Sequence, residues 1–430
     1  MSTDYTLILH NAHIIDPSKN INGIGSIYIK GAFIDKITQG ETNIEQTTKT
    51  NVINLKGKYI IPSLVATHVK INKIDKQTFS NLENMALNGG ISDIIISPQF
   101  LPEAYQVETI ELLQERVKTA KVNFHFLAPI TNKNTSKNLA EIGLLTKAGA
   151  VGFDTGDLQL DDASLMLQAM SYIKDFNQLI CITPQNRSLT TYGYPNDCLA
   201  TTLLGLTPNN ELAEIIALER DLRIAEATQT KLHVAQISTK KSVEIIRNAK
   251  EYLPELTAAV SIEHLSFNEL DLRDYNNNLK LSIPLRSEND RQALISGLKN
   301  NIINIISSHH VSYTTADKRT TFAKSPVGTA NLDILLPATL RLYHDGYITL
   351  PRLVELISTN PAKIFNIKGS SIDIGERANM IILDTEKIWR FSPTNAIDYA
   401  YVDAAFFGYH HPIISGNFVN EQSISELKND

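Results

Sequence analysis

The chain has 430 residues, 43% of them hydrophobic and 20% charged, and 40 Lys plus Arg stand against 46 Asp plus Glu for a formal net charge of −6. Frequent apolar residues with a small net charge exclude an intrinsically disordered chain, and mild acidity without a dense basic stripe argues against nucleic acid as the main partner. Two cysteines, Cys181 and Cys198, cannot build a disulfide framework or a thiolate zinc centre; with no leader pattern at the start and no apolar run of about 18 residues, the expectation is a cytoplasmic chain that does not engage a membrane.

Residues 1–58 read as short strands. Leu7-Ile8-Leu9 and Ile14-Ile15 stop at the turn signal Asp16-Pro17, and the stretches 26–31 and 33–37 alternate apolar and polar side chains. From residue 59 the pattern changes to short apolar runs separated by helical stretches. Eight runs stand out, at residues 60–61, 94–96, 124–127, 150–153, 179–182, 232–235, 258–261 and 303–306. Between them the spacing predicts a helix over 161–176, with Leu165, Ala169, Met170 and Ile173 on one face, and another over 211–227. Eight strand–helix units over residues 59–370 predict a (β/α)8 TIM-like barrel. Strand character returns over residues 371–430, so the two ends are expected to pair into one small composite β-sandwich, for an α/β fold overall.

In such a barrel, chemistry sits at the C-terminal ends of the strands. The segments there are Pro62 to Lys70, Thr183-Pro184-Gln185-Asn186, Gln236-Ile237-Ser238-Thr239 and Ser307-Ser308-His309-His310. No Gly-x-Ser-x-Gly elbow, P-loop or Gly-x-Gly-x-x-Gly fingerprint accompanies them.

Several framework segments carry a resemblance. Asn11 to Pro17, Gly89-Gly90-Ile91-Ser92, Leu204-Gly205-Leu206, Ala213-Glu214, Pro284-Leu285-Arg286 with Asp290-Arg291, Ser325-Pro326-Val327-Gly328 and Asn360 to Phe365 are similar to motifs of the dihydroorotases, cyclic amidohydrolases of pyrimidine biosynthesis in the amidohydrolase superfamily. The resemblance covers nearly the whole chain and implies the same barrel with its composite sandwich. It also implies where zinc ligands and substrate contacts ought to be. The Asp-x-His-x-His of the first strand is Ala66, Thr67, His68, Val69, Lys70 here, and the substrate arginine beyond it is Asn72. The ligand positions of strands five and six hold Thr183 and Gln236, and the strand-eight aspartate is replaced by His309, followed by His310. Two substrate asparagines correspond to Gln99 and Ser282, and the strand-four carboxylate position falls near Asp154.

A catalytic zinc takes about three ligands from His, Asp, Glu or Cys. Thr and Gln are poor donors, and a lysine ammonium repels the ion. His68 reads as a remnant ligand or a hydrogen-bonded pocket histidine. Lys70 reads as a tethered cation in the metal's place, near Asp154 or Asp157, or as a lysine that snorkels to solvent. His309 and His310 with His68 could hold one weak metal ion, or simply line the pocket. His233 reads as a core histidine, and His410-His411 as solvated.

The expectation drawn from these substitutions is a non-catalytic dihydroorotase homologue with no cofactor. By resemblance it would assemble or stabilise aspartate transcarbamoylase by joining its catalytic chain in an oligomer. The alternative is a zinc-dependent dihydroorotase with degenerate ligands, interconverting carbamoyl aspartate and dihydroorotate. A second alternative is a metal-free self-assembling structural or regulatory protein.

Overall fold

The computed structural model describes residues 5–44, 50–101, 104–132, 138–156, 160–190, 194–393 and 397–429. Eight parallel strands form the barrel: β1 (Leu64–Val69), β2 (Ile91–Ile96), β3 (Asn123–Phe126, continued by Ala128–Pro129), β4 (Phe153–Asp154), β5 (Ile180–Ile182), β6 (Leu232–Val234), β7 (Thr257–Ser261) and β8 (Ile305–Ser307). The chain closes the barrel between β8 and β1, where His309 N–H donates to Thr67 O and Lys70 N–H to His310 O. Val65, Ile95, Leu127, Cys181, Ala259 and Ile305 fill the interior, with Phe365 packed against them. Burial pushes the Cys181 thiol well above its usual range, so it packs as a small hydrophobe. Neighbouring positions such as Ile94 and Ile96 face outward into the helical layer, the period-2 alternation of a strand covered on both faces.

The helices follow from local signals. The expected helix over 161–176 is Ala163–Asp175, started by the Asp162 carboxylate, which accepts from the backbone of Ser164 and Leu165. Its four predicted apolar residues are all buried. Glu288–Lys299 opens with a capping box, Ser287 with Asp290.

Both ends of the chain build one eight-stranded, sandwich-like sheet beside the barrel, as expected. Its path runs Asn417–Phe418, Ala405–Ile414, Met380–Arg390, Tyr59–Pro62, Leu7–Asp16, Ile21–Lys30 and Phe33–Gln39, with Asn51–Asn54 also paired to Leu7–Asp16. Leu9, Ile14, Ile27, Ile60, Met380 and Ile382 share its core.

Two readings of the sequence are corrected here. Ile60-Ile61, taken as a barrel strand, belongs to the terminal sheet: Ile60 pairs with both Ile14 and Ile382. A two-residue apolar run is compatible with either sheet, and Pro62-Ser63 marks the crossing between them. His410-His411, taken as solvated, is buried, and His410 Nε2 bonds to Asn88 O at 2.9 Å, fastening the terminal sheet to the barrel.

Candidate active site at the barrel mouth

A cavity of about 820 Å³ opens at the C-terminal ends of the barrel strands. Of the residues singled out in the sequence, Lys70, Gln99, Gln236, Ser282 and His309 line it. Asn72 lies in an adjoining side pocket that shares Lys70. His68, Asp154, Thr183 and His310 are buried in the wall. Asp157 lies outside the described residues.

Strand-end geometry sets these positions. The pairing of β1 with β2 slips between Ala66 and Val69, a bulge centred on Thr67 and His68, and bulges of this kind re-aim side chains next to active sites. His68 has φ +56° and His309 φ +44°, left-handed conformations that are uncommon for residues other than glycine. The result is a histidine stack. The His68 ring lies parallel to that of His309 at 5.2 Å and 14°, and to that of His233 at 5.7 Å and 23°. His233 is therefore a core histidine, but one in contact with the site; its Nδ1 faces Thr257 Oγ1 at 2.8 Å.

Burial and the neighbouring rings hold His68 well below its ordinary pKa, and the same causes bring His233 to about 3. His310 also falls to about 3 through burial, and its Nδ1 accepts from the Asn331 backbone N–H. These imidazoles are neutral at pH 7. Lys70 is only 4% exposed and lines the cavity, so it does not snorkel to solvent. Asp154 accepts from Ser97 Oγ and from the Gly156 N–H, both at 2.8 Å. The backbone N–H of Thr183 donates to Thr155 Oγ1.

This donor set does not fit a catalytic zinc. Parallel rings send their nitrogen lone pairs side by side rather than toward one point. His309 Nε2 is engaged by Ala235 O at 3.0 Å and so is turned to the backbone. Among the described residues no group of three or more His, Cys, Asp or Glu is placed to hold a metal ion.

Other residues face the cavity too, of which the sequence passed over Glu263 and Asn209. Glu263 and His264 follow β7 directly, and Gln185 and Asn209 also line the cavity. Glu263 is buried, and burial pushes its carboxyl up to about 7 although Asn331 Nδ2 donates to it at 2.6 Å. His264 Nε2 faces Pro284 O at 3.0 Å, and its Nδ1 lies 3.1 Å from Gln236 Nε2 and 2.9 Å from Ser261 Oγ. Position at a strand end was the available signal for Glu263; its environment was not readable.

Comparison with known proteins places this geometry in context. Residues 57–242 match a family model described as dihydro-orotase-like. The chain is 30% identical over 395 residues to the dihydroorotase of Ehrlichia canis, covering 90% of this chain and 87% of that one. It is 30% identical over 389 residues to the dihydroorotase of Aquifex aeolicus, covering 89% and 90%. The L-hydantoinase (dihydropyrimidinase) from Arthrobacter aurescens has a TM-score of 0.84 over 97% of this chain and 96% of that chain at 21% identity, a likeness of fold. These relatives correct the expectation of a non-catalytic chain. Proteins aligned over nearly their whole length are named for an enzyme, which favours an enzyme over a non-catalytic subunit.

Proposed function

Because the chain belongs to the dihydroorotase-like amidohydrolase family, we propose that it is an enzyme of the dihydroorotase type, interconverting a cyclic amide and its ring-opened ureido acid at the barrel mouth. The observation that carries this reading is the end-to-end match, at about 30% identity, to several dihydroorotases.

The chain's own residues supply the chemistry. Ring opening adds water to the ring carbonyl carbon, breaks the C–N bond and returns a proton to the departing nitrogen. Glu263, with its carboxyl near neutrality, takes the proton from the attacking water and delivers it to the nitrogen. Lys70 places a fixed positive charge on the cavity wall, where it favours the oxygen that becomes negative as the carbonyl is attacked. His264 holds Gln236 at the wall and stays neutral, its pKa brought to about 3 by burial. In this proposal no metal takes part.

The test is turnover of dihydroorotate and of carbamoyl aspartate by the purified chain, with metal content measured on the same sample. Turnover is expected with far less than one zinc per chain, and Glu263→Gln is expected to lower kcat by about 10²–10⁴-fold. No turnover with or without added zinc overturns the function, and turnover that rises with bound zinc overturns the metal-free mechanism. Association with the aspartate transcarbamoylase catalytic chain is part of the same proposal, and co-elution of the two purified chains is its test.

A further inference from the structure

Gln185 stands just past β5, and Asn209 lies in the loop before the helix Leu212–Thr228. Both line the cavity and both are buried, at 5% and 2% exposure. Asn209 Nδ2 donates to Gln185 Oε1 at 3.4 Å. Gln185 Nε2 and Asn209 Oδ1 then have no partner among the described residues. The pair therefore leaves one free donor beside one free acceptor.

This outcome does not depend on how the two amides are turned. Rotating both by half a turn makes Gln185 the donor within the pair and leaves a free acceptor on Gln185 and a free donor on Asn209. Gln236, also on the cavity wall, adds a third unsatisfied atom, because its Oε1 is buried without a partner among the described residues while its Nε2 contacts Ile237 O and His264 Nδ1. Buried polar groups in folded proteins are nearly always paired, so three unpaired amide atoms around one cavity need an explanation.

The backbone around Asn209 is fixed. Arg286 Nη1 donates to Asn209 O at 2.7 Å and to Asn196 Oδ1 at 2.7 Å, and Asn209 N–H donates to Pro195 O at 2.8 Å. The terminal amides themselves turn about soft sp³–sp² bonds, so a ligand engages the covered atoms by a small rotation on a rigid support.

The complement of an adjacent donor and acceptor is an adjacent N–H and C=O on one edge. A trans amide presents these groups on opposite sides, and a carboxylate has no donor to offer. A cis amide locked in a ring, or one edge of a cyclic ureide, presents both together. We propose that Gln185 and Asn209 form a subsite that reads the uncharged cis-amide edge of a cyclic amide or ureide ring, with Gln236 Oε1 accepting from a second ring N–H. The choice of ligand class rests on the proposed cyclic amidohydrolase activity, but recognition is separable from turnover.

The experiment is calorimetric titration of the full chain with 5,6-dihydrouracil and with its N1,N3-dimethyl derivative, which keeps the ring and both carbonyls but offers no N–H. Dihydrouracil is expected to bind, and the dimethyl compound to bind at least about 100-fold more weakly, the discrimination typical of a site built to pair a buried polar group. Gln185→Met is expected to weaken dihydrouracil at least about tenfold. Asn209→Asp, nearly isosteric and therefore safe if the first variant folds poorly, turns the free pair into two acceptors and is expected to do the same. Equal binding of the two compounds, wild-type affinity in Asn209→Asp, or no binding of dihydrouracil at millimolar concentration overturns the subsite. Selective binding without any turnover supports the subsite while overturning the proposed activity, so the two failures are distinguishable.

Discussion

Glu263 illustrates how a single side chain couples stability to pH. Its carboxyl titrates at about 7 in the fold, against an ordinary value of 4.5, because it is buried. A carboxyl raised in this way contributes its stabilising share fully below about pH 4.5, and that share is lost as pH rises through about 7. A displacement of this size corresponds to something on the order of 3 kcal/mol. Glu263→Gln keeps an acceptor for Asn331 and carries no charge, so the variant is expected to be more stable than the parent at pH 8 and close to it at pH 4.5. Urea unfolding at the two pH values checks this; an unchanged difference between them would refute it. His233, His264 and His310, all brought to about 3 by burial, act in the opposite direction. Their stabilising share is present above about pH 6.5 and lost as pH falls toward 3; three such groups outweigh the single Glu263 over the window they share, so stability of the whole chain is expected to fall as pH drops below about 6.5.

At the scale of elements, the loop that walls one side of the cavity is held by two lysines. Lys280 Nζ donates to the carbonyls of Phe322, Ala323 and Ser325 at 2.8, 3.0 and 2.8 Å. Lys318 Nζ donates to those of Asn277, Pro326 and Gly328 at 3.0, 2.8 and 2.6 Å, and burial lowers its pKa to about 8. Each ammonium spends all three of its protons on backbone, and Pro326, Val327 and Gly328 are cavity residues. Lys280→Met strips three carbonyls of their donor and is expected to cost about 2–4 kcal/mol, with new protease cleavage between residues 318 and 328; limited proteolysis followed by mass mapping reads it out. Gly328 in the same loop has φ +121°, and a Cβ there would meet the Val311 side chain. Gly328→Ala is expected to destabilise by about 1–3 kcal/mol and to weaken ligand binding at the mouth, where both residues sit. Wild-type melting temperature and affinity in that variant would show that the loop has room to adjust.

The whole molecule depends on Tyr59–Pro62, which leads into the barrel yet pairs with strands from both chain ends. Met380–Arg390 covers one edge of it, and Ile60, Ile381 and Ile382 are fully buried along that seam. Gly90, at the start of β2, has φ +72° and lies against Ile381, so the barrel bottom and terminal sheet are packed without room for a side chain there. Deleting residues 371–430 uncovers this seam and removes the partner of Asn88. The shortened chain is expected to lose cooperative unfolding and to bind a hydrophobic dye; a monomeric 1–370 fragment with a sharp thermal transition would show instead that the barrel folds alone. Among the described residues no helix is long and apolar enough to cross a membrane.

The sequence by itself determined seven of the eight barrel strands as short apolar runs, the capped helices such as Ala163–Asp175, and the return of strand character after residue 371. These are local properties: a period of two or of 3.6 and a capping side chain act within a few residues. It also determined which ligand types stand at the strand ends, because residue identity suffices to see that Lys70, Thr183 and Gln236 are not zinc donors. The tertiary structure alone decided that Ile60-Ile61 joins the terminal sheet, since an apolar pair carries no mark of its partner. It alone stacked His68 between His233 and His309, and set Gln185 beside Asn209 across 24 residues of chain. The neutral bias of Glu263 was equally invisible, for a pKa is fixed by burial and by the groups that surround it, and those arrive from β7, from Asn331 and from Tyr401 only when the barrel closes.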